Sequence, residues 1–102
     1  MAKHRMTKAC EISKETKEIV FARDGEVCVY CQSNHGLPNA HFIPRSHGGL
    51  GTERNILTLC PNCHHDFDNT DKRQHMKAYF RGYLKTKYPD WKEEELYYRK
   101  RG

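Results

Sequence analysis

The chain has 102 residues, 36% hydrophobic and 30% charged, with a formal net charge of +5 and a mean hydropathy of −0.98. That length holds one small domain with a thin core, for which a bound metal would supply stability that apolar burial does not. No apolar run reaches the roughly 18 residues of a membrane span and none follows the basic N-terminus as in a secretory signal, while the basic balance suits a polyanion such as nucleic acid.

Residues 1–12 read as a flexible basic arm. Ser13 is a candidate N-cap for a helix over 14–23, with Ile12, Thr16, Ile19, Val20 and Arg23 on its inward edge. Asp24-Gly25 ends it, Gly25 taking the left-handed position. Residues 26–30 read as a short strand, 32–38 as a loop and 39–43 as a second strand, which Pro44 keeps from the middle of a sheet. Residues 45–51, with three of the seven glycines, form a surface loop. Ile56, Leu57 and Leu59 make an apolar patch, and Pro61 opens a helix that runs to Asn69. Asp71 and Gln74 have capping-box spacing for a helix to Lys87 with an apolar stripe of Met76, Tyr79, Phe80, Tyr83 and Leu84. Pro89 breaks it, and Asp90 and Glu93 repeat the spacing for a last short helix with Trp91, Leu96 and Tyr97. These aromatics read as packing residues. Arg99, Lys100 and Arg101 form a basic tip. The division is an arm over 1–12, a core over 13–70, and a helical extension over 71–102 packed on the core.

Chemistry concentrates between and just after two cysteine pairs. Cys28 and Cys31, then Cys60 and Cys63, each enclose two residues, with 28 residues between the pairs. Each pair presents two thiolates from one tight turn, and together they make the four-sulfur tetrahedron that Zn2+ prefers. Free buried thiols or disulfides are the alternative; a cytoplasmic location, where thiols stay reduced, goes with the metal reading. Cys10 falls outside the pattern and reads as a bystander.

His64 and Asp68 are four apart, so a helix places them on one face. An imidazole and a carboxylate there suit Mg2+ or Mn2+ with positions left open for water and substrate. His41, on the strand before that helix, has the side chain whose ordinary pKa suits a general base near neutral pH. Arg45 can bind phosphate oxygens bidentately or hold the loop backbone.

The run Ala40-His41-Phe42-Ile43-Pro44-Arg45-Ser46-His47-Gly48-Gly49, followed by Asn55-Ile56-Leu57-Thr58-Leu59-Cys60-Pro61-Asn62-Cys63-His64-His65, resembles the HNH endonucleases. The resemblance spans about residues 13–69. It implies a small α+β fold, a ββα-metal core with a structural four-cysteine zinc site and flanking helices. It implies His41 as general base, Asn55 as the middle Asn, and His64 as a ligand of a catalytic Mg2+ or Mn2+. In the family that Asn is a metal ligand in some members and a loop brace in others. Ala40 departs from the pattern, since many members carry a ligand just before the first His; Asp68 is the substitute, and His65 and Asp66 point away from His64 on an ideal helix. The activity implied is hydrolysis of phosphodiester bonds in DNA, one strand nicked per site, by a monomer or a homodimer. Two alternatives stand beside it: a non-catalytic zinc-ribbon module that binds nucleic acid, and a degenerate HNH protein that has lost its catalytic metal.

Overall fold

Side-chain caps start two of the helices, and burial orders them all. The computed structural model describes residues 5–99, with side chains from residue 7. Helix α1 spans Arg5–Cys10. Helix α2 spans Lys14–Arg23, and the Ser13 hydroxyl accepts from the Thr16 N–H at 3.1 Å, so the expected N-cap is in place. Strand β1 (Leu37–His41) pairs antiparallel with β2 (Ile56–Leu59). Helix α3 spans Pro61–Asn69 with Cys60 as N-cap and Pro61 at its first turn, and α4 spans Arg73–Lys87. Short 3-10 turns cover Arg45–His47, Glu53–Asn55 and Glu93–Glu95. The architecture is small α+β: two strands, then α3, in the order of a ββα-metal unit, with α1, α2 and α4 around it.

All of β2 is buried, so both its faces are covered. Leu57 and Leu59 join one cluster with Phe42, Ile43, Phe67, Met76, Phe80, Leu84, Trp91 and Leu96, while the alternate residues Ile56 and Thr58 are buried on the opposite face. Aromatic rings meet edge-on inside the cluster: Phe67 and Phe80 at 5.0 Å, Phe42 and Trp91 at 5.5 Å. Met76, Phe80 and Leu84 fix α4 to the core. Each contributes about 1.5–3 kcal/mol, against roughly 0–1 kcal/mol for surface ion pairs such as Lys77–Glu93. Packing therefore holds this helix.

The edge of β2 not paired with β1 is held by charge. Arg23 bonds Asp24 through two nitrogens at 2.7 and 3.0 Å and donates to the carbonyls of Glu53 and Ile56, each at 2.8 Å. Asp24 accepts in turn from the Thr58 N–H at 2.9 Å and the Tyr83 hydroxyl at 2.5 Å. Burial works against the Arg23 charge, but its hydrogen bonds and attraction to Asp24 outweigh that and keep the guanidinium protonated. Burial, then the bond to Asp24, pushes the Tyr83 phenol up, so it stays a donor.

Several elements differ from the sequence reading. The arm expected over 1–12 is helical from Arg5 to Cys10, and Cys10 is buried at 2% exposure; residues 1–4, Lys100 and Arg101 lie outside the described residues. No strand forms over 26–30. Gly25, Glu26 and Gln32 all take φ between 62° and 70°, which turns the chain back on itself instead of extending it. Strand β1 lies two residues earlier than expected, and its register shifts between Leu37 and Ala40, around Pro38, which has no N–H to pair. Of the inward edge expected on α2, Val20 is fully buried but Ile19 is 48% exposed. Neither capping box forms. Lys72 precedes α4 with no side-chain cap. Glu93 bonds Arg81 at 2.9 Å and Asp90 bonds Arg54 at 3.0 Å, so partners on other elements take these carboxylates.

The Asp24 carboxylate is completely covered and serves three donors, so its loss strands a guanidinium that is only 10% exposed. Asp24→Ala is expected to lower the unfolding free energy by about 3–5 kcal/mol in urea titrations.

Candidate functional site

Two turns bring the four cysteine sulfurs to one point. In the first, the Gln32 N–H donates to the Cys28 carbonyl at 2.8 Å and the Cys31 N–H reaches the Cys28 Sγ at 3.5 Å. In the second, Cys60 caps α3, and its Sγ accepts from the Cys63 N–H at 3.4 Å. All four Sγ atoms lie within 4.8 Å of one another, and Cys31 and Cys60 approach to 3.6 Å. Zinc–sulfur bonds of about 2.3 Å in a tetrahedron put sulfurs about 3.8 Å apart, so the donor set fits Zn2+. A disulfide needs about 2 Å, and the cysteines are free thiols. Burial, then hydrogen bonds from the other three sulfurs, pushes the Cys63 thiol up; Ser33 hydrogen bonds pull the exposed Cys31 down to about 6. A dication at the centre is what lets all four sulfurs carry charge together.

Beside this clasp lies an open cleft of about 810 Å³. His41 enters it from the end of β1, His64 from the first turn of α3 and Asp68 from the next turn. His64 Nε2 is 3.0 Å from Asp68 Oδ2. Neighbouring ligands of an octahedral Mg2+ are about 3 Å apart, so these two atoms fit adjacent positions on one small cation. Arg73 stands 3.9 Å from the other Asp68 oxygen. Arg45 and His47 line the same cleft from the loop. Ala40, paired with Leu57, is fully buried and offers no ligand. Glu11 and Asp68 are the carboxylates on the cleft wall.

His41 Nε2 lies 2.8 Å from the Cys10 carbonyl. A carbonyl only accepts, so Nε2 carries the hydrogen and Nδ1 keeps its lone pair. Burial holds the imidazole pKa below 6.5; Arg45 and His64 push the same way, against the Cys10 carbonyl and Asp68. The net shift favours the neutral ring.

Asn55 is elsewhere. It is fully buried, its Oδ1 accepts from the Ile43 N–H at 2.8 Å, and its Nδ2 donates to the Ile43 and Leu50 carbonyls at 3.2 and 2.8 Å. Of the two roles left open for it, these bonds match the loop brace. Gly49 is needed under that brace, because a Cβ there would sit 1.7 Å from the Ile43 carbonyl oxygen. The structure thus brings His41, His64, Asp68 and Arg45 to one cleft, sets Asn55 behind it, and leaves His65 and Asp66 off its wall. Sequence reasoning missed Glu11, Lys17 and Arg73, which also line the cleft, and the Cys10 carbonyl. A main-chain oxygen leaves no side-chain signal to find.

The model of the HNH endonuclease family matches residues 28–69 of this chain. The motif resemblance therefore stands over the stretch from Cys28 to Asn69 that holds the four cysteines, both strands and α3. Anaredoxin from Nostoc sp. strain PCC 7120 is 42% identical over 38 residues, 36% of this chain and 50% of that protein. The chain thus spans about half the length of the curated relative it matches. No described helix is long and apolar enough to cross a membrane.

Asn55→Ala would leave the Ile43 N–H and two carbonyls unpaired in the interior. The expected loss is at least about 3 kcal/mol, the lower end of about 1–3 kcal/mol for each orphaned group, measured by chemical unfolding with the metal-to-protein ratio unchanged.

Proposed function

We propose that this chain is a metal-dependent HNH endonuclease that hydrolyses phosphodiester bonds in DNA, nicking one strand per active site. The observation that carries the reading is His41, held through Nε2 by the Cys10 carbonyl, in one cleft with His64, Asp68 and Arg45. The four cysteines hold structural Zn2+, and a reducing cytoplasm keeps them available to it. Arg45, Lys17 and Arg73 bring positive charge to the cleft wall and hold the DNA phosphates. His41 Nδ1 takes a proton from water as the water oxygen bonds to phosphorus, and the bond from phosphorus to the leaving sugar oxygen breaks. His64 and Asp68 would hold Mg2+ or Mn2+. Such an ion, when bound, supplies charge stabilisation for the leaving alkoxide. Asn55 keeps the Arg45 loop in register with β1.

One observation favours a second reading. Ala40 is sealed in the core, and among the described residues the four cysteines are the one group of three or more ligands gathered at a point. A degenerate HNH protein, or a zinc-ribbon module that only binds nucleic acid, has no need of a loaded second site.

Plasmid relaxation with Mg2+ or Mn2+ tests the first reading. His41→Ala is expected to lower nicking by at least about a hundredfold, the lower end for a general base, with the zinc retained. The wild-type rate should fall as pH drops through a value below 6.5, because burial depresses the His41 pKa and only the neutral ring accepts a proton. Equal cutting by both proteins removes His41 from the mechanism. Manganese titration separates the two readings: His64→Ala and Asp68→Ala should each abolish a site that the wild type fills, whereas a wild type that binds no second ion supports the binding module.

A further inference from the structure

Residues 9–11 lie well outside the stretch matched by the family, yet their backbone touches the centre of the cleft. The Ala9 carbonyl accepts from the Gly51 N–H at 3.0 Å, and the Cys10 carbonyl meets His41 Nε2 at 2.8 Å. Glu11 and the adjoining Ile12 then form part of the cleft wall. The buried Cys10 side chain anchors the segment. The fit against the loop is tight: a Cβ on Gly51 would lie 1.9 Å from the Glu11 carbonyl oxygen and 3.0 Å from that of Cys10. Residue 51 must be glycine for the segment to sit there, so the glycine loop and the N-terminal segment are built for each other.

We infer that residues 9–11 are a positioning strap: the Cys10 carbonyl, clamped between Gly51 and β1, locks His41 in the tautomer that leaves Nδ1 free to act on substrate. The strap's effect on rate rests on the nuclease reading; its effect on the ring does not. Without the carbonyl, the imidazole hydrogen is free to occupy either nitrogen, and the ring is free to rotate. A base held out of line by about 1 Å loses on the order of a hundredfold in rate. Binding of DNA, which depends on phosphate contacts, is untouched.

Two lesions from opposite sides of the contact test this in the full chain. Gly51→Ala pushes the strap off the loop. Ala9→Pro breaks α1 outside the metal-clasped unit, so it decides the matter should Gly51→Ala fail to fold. Two readouts are taken with metal content checked: the ring 15N spectrum of His41, and kcat against KM for plasmid nicking. The wild type should show hydrogen on Nε2 alone. The variants should show both tautomers, with kcat down about a hundredfold and KM unchanged. A wild-type ring protonated at Nδ1, or variants that keep the Nε2 tautomer whatever happens to rate, overturns the strap. A wild type that cuts no DNA sinks the nuclease reading and leaves the ring spectrum to decide the strap.

Discussion

Four sulfurs gathered within 4.8 Å are the constraint on which the remaining geometry depends. They tie the turn at Cys28 and Cys31, which leads toward β1, to the turn at Cys60 and Cys63, which closes β2 and starts α3. His64 follows Cys63 directly, so its position is set by the clasp to within one peptide unit. Asp68 follows by one turn of the same helix. The strand that delivers His41 is paired to β2, which runs into Cys60. A chain with this little apolar core would hold such a hairpin weakly by packing alone.

The Arg45 loop has no such clasp and borrows its rigidity. Asn55 binds both ends of it from within, through Ile43 and Leu50. The two ends of the described chain close on it from outside: the Gly51 N–H on the Ala9 carbonyl, the Leu50 N–H on the Leu96 carbonyl at 2.9 Å, and the Tyr98 N–H on the Gly48 carbonyl at 2.6 Å. The segments flanking the family-like unit are therefore part of its frame. They hold the cleft's arginine and orient its histidine, a division that a boundary drawn at residues 12 and 13 would hide.

Arg23 and Asp24 do for α2 what the cysteine clasp does for the hairpin. A buried ion pair is a weak source of net stability, because desolvation offsets much of the attraction. Its bonds to Glu53, Ile56, Thr58 and Tyr83 satisfy the remaining polar atoms and specify how α2 and α4 sit on the sheet.

The features written in the sequence are those decided by neighbours along the chain. The two-residue spacing of each cysteine pair, Ser13 ahead of α2, Pro61 at the start of α3, and the four-residue step from His64 to Asp68 each carry their own geometry, and all are where the residues place them. Whether Asn55 binds an ion or a backbone, whether Asp90 and Glu93 cap a helix or pair with Arg54 and Arg81, and whether residues 9–12 trail in solvent or close on the cleft depend on partners between 5 and 42 positions away. A polar side chain has one set of bonds to give, and local spacing says what it can reach along its own helix or turn. Only the packed chain decides which distant partner arrives first, and a carbonyl oxygen such as that of Cys10, identical in every residue, acquires a role only from the ring placed against it.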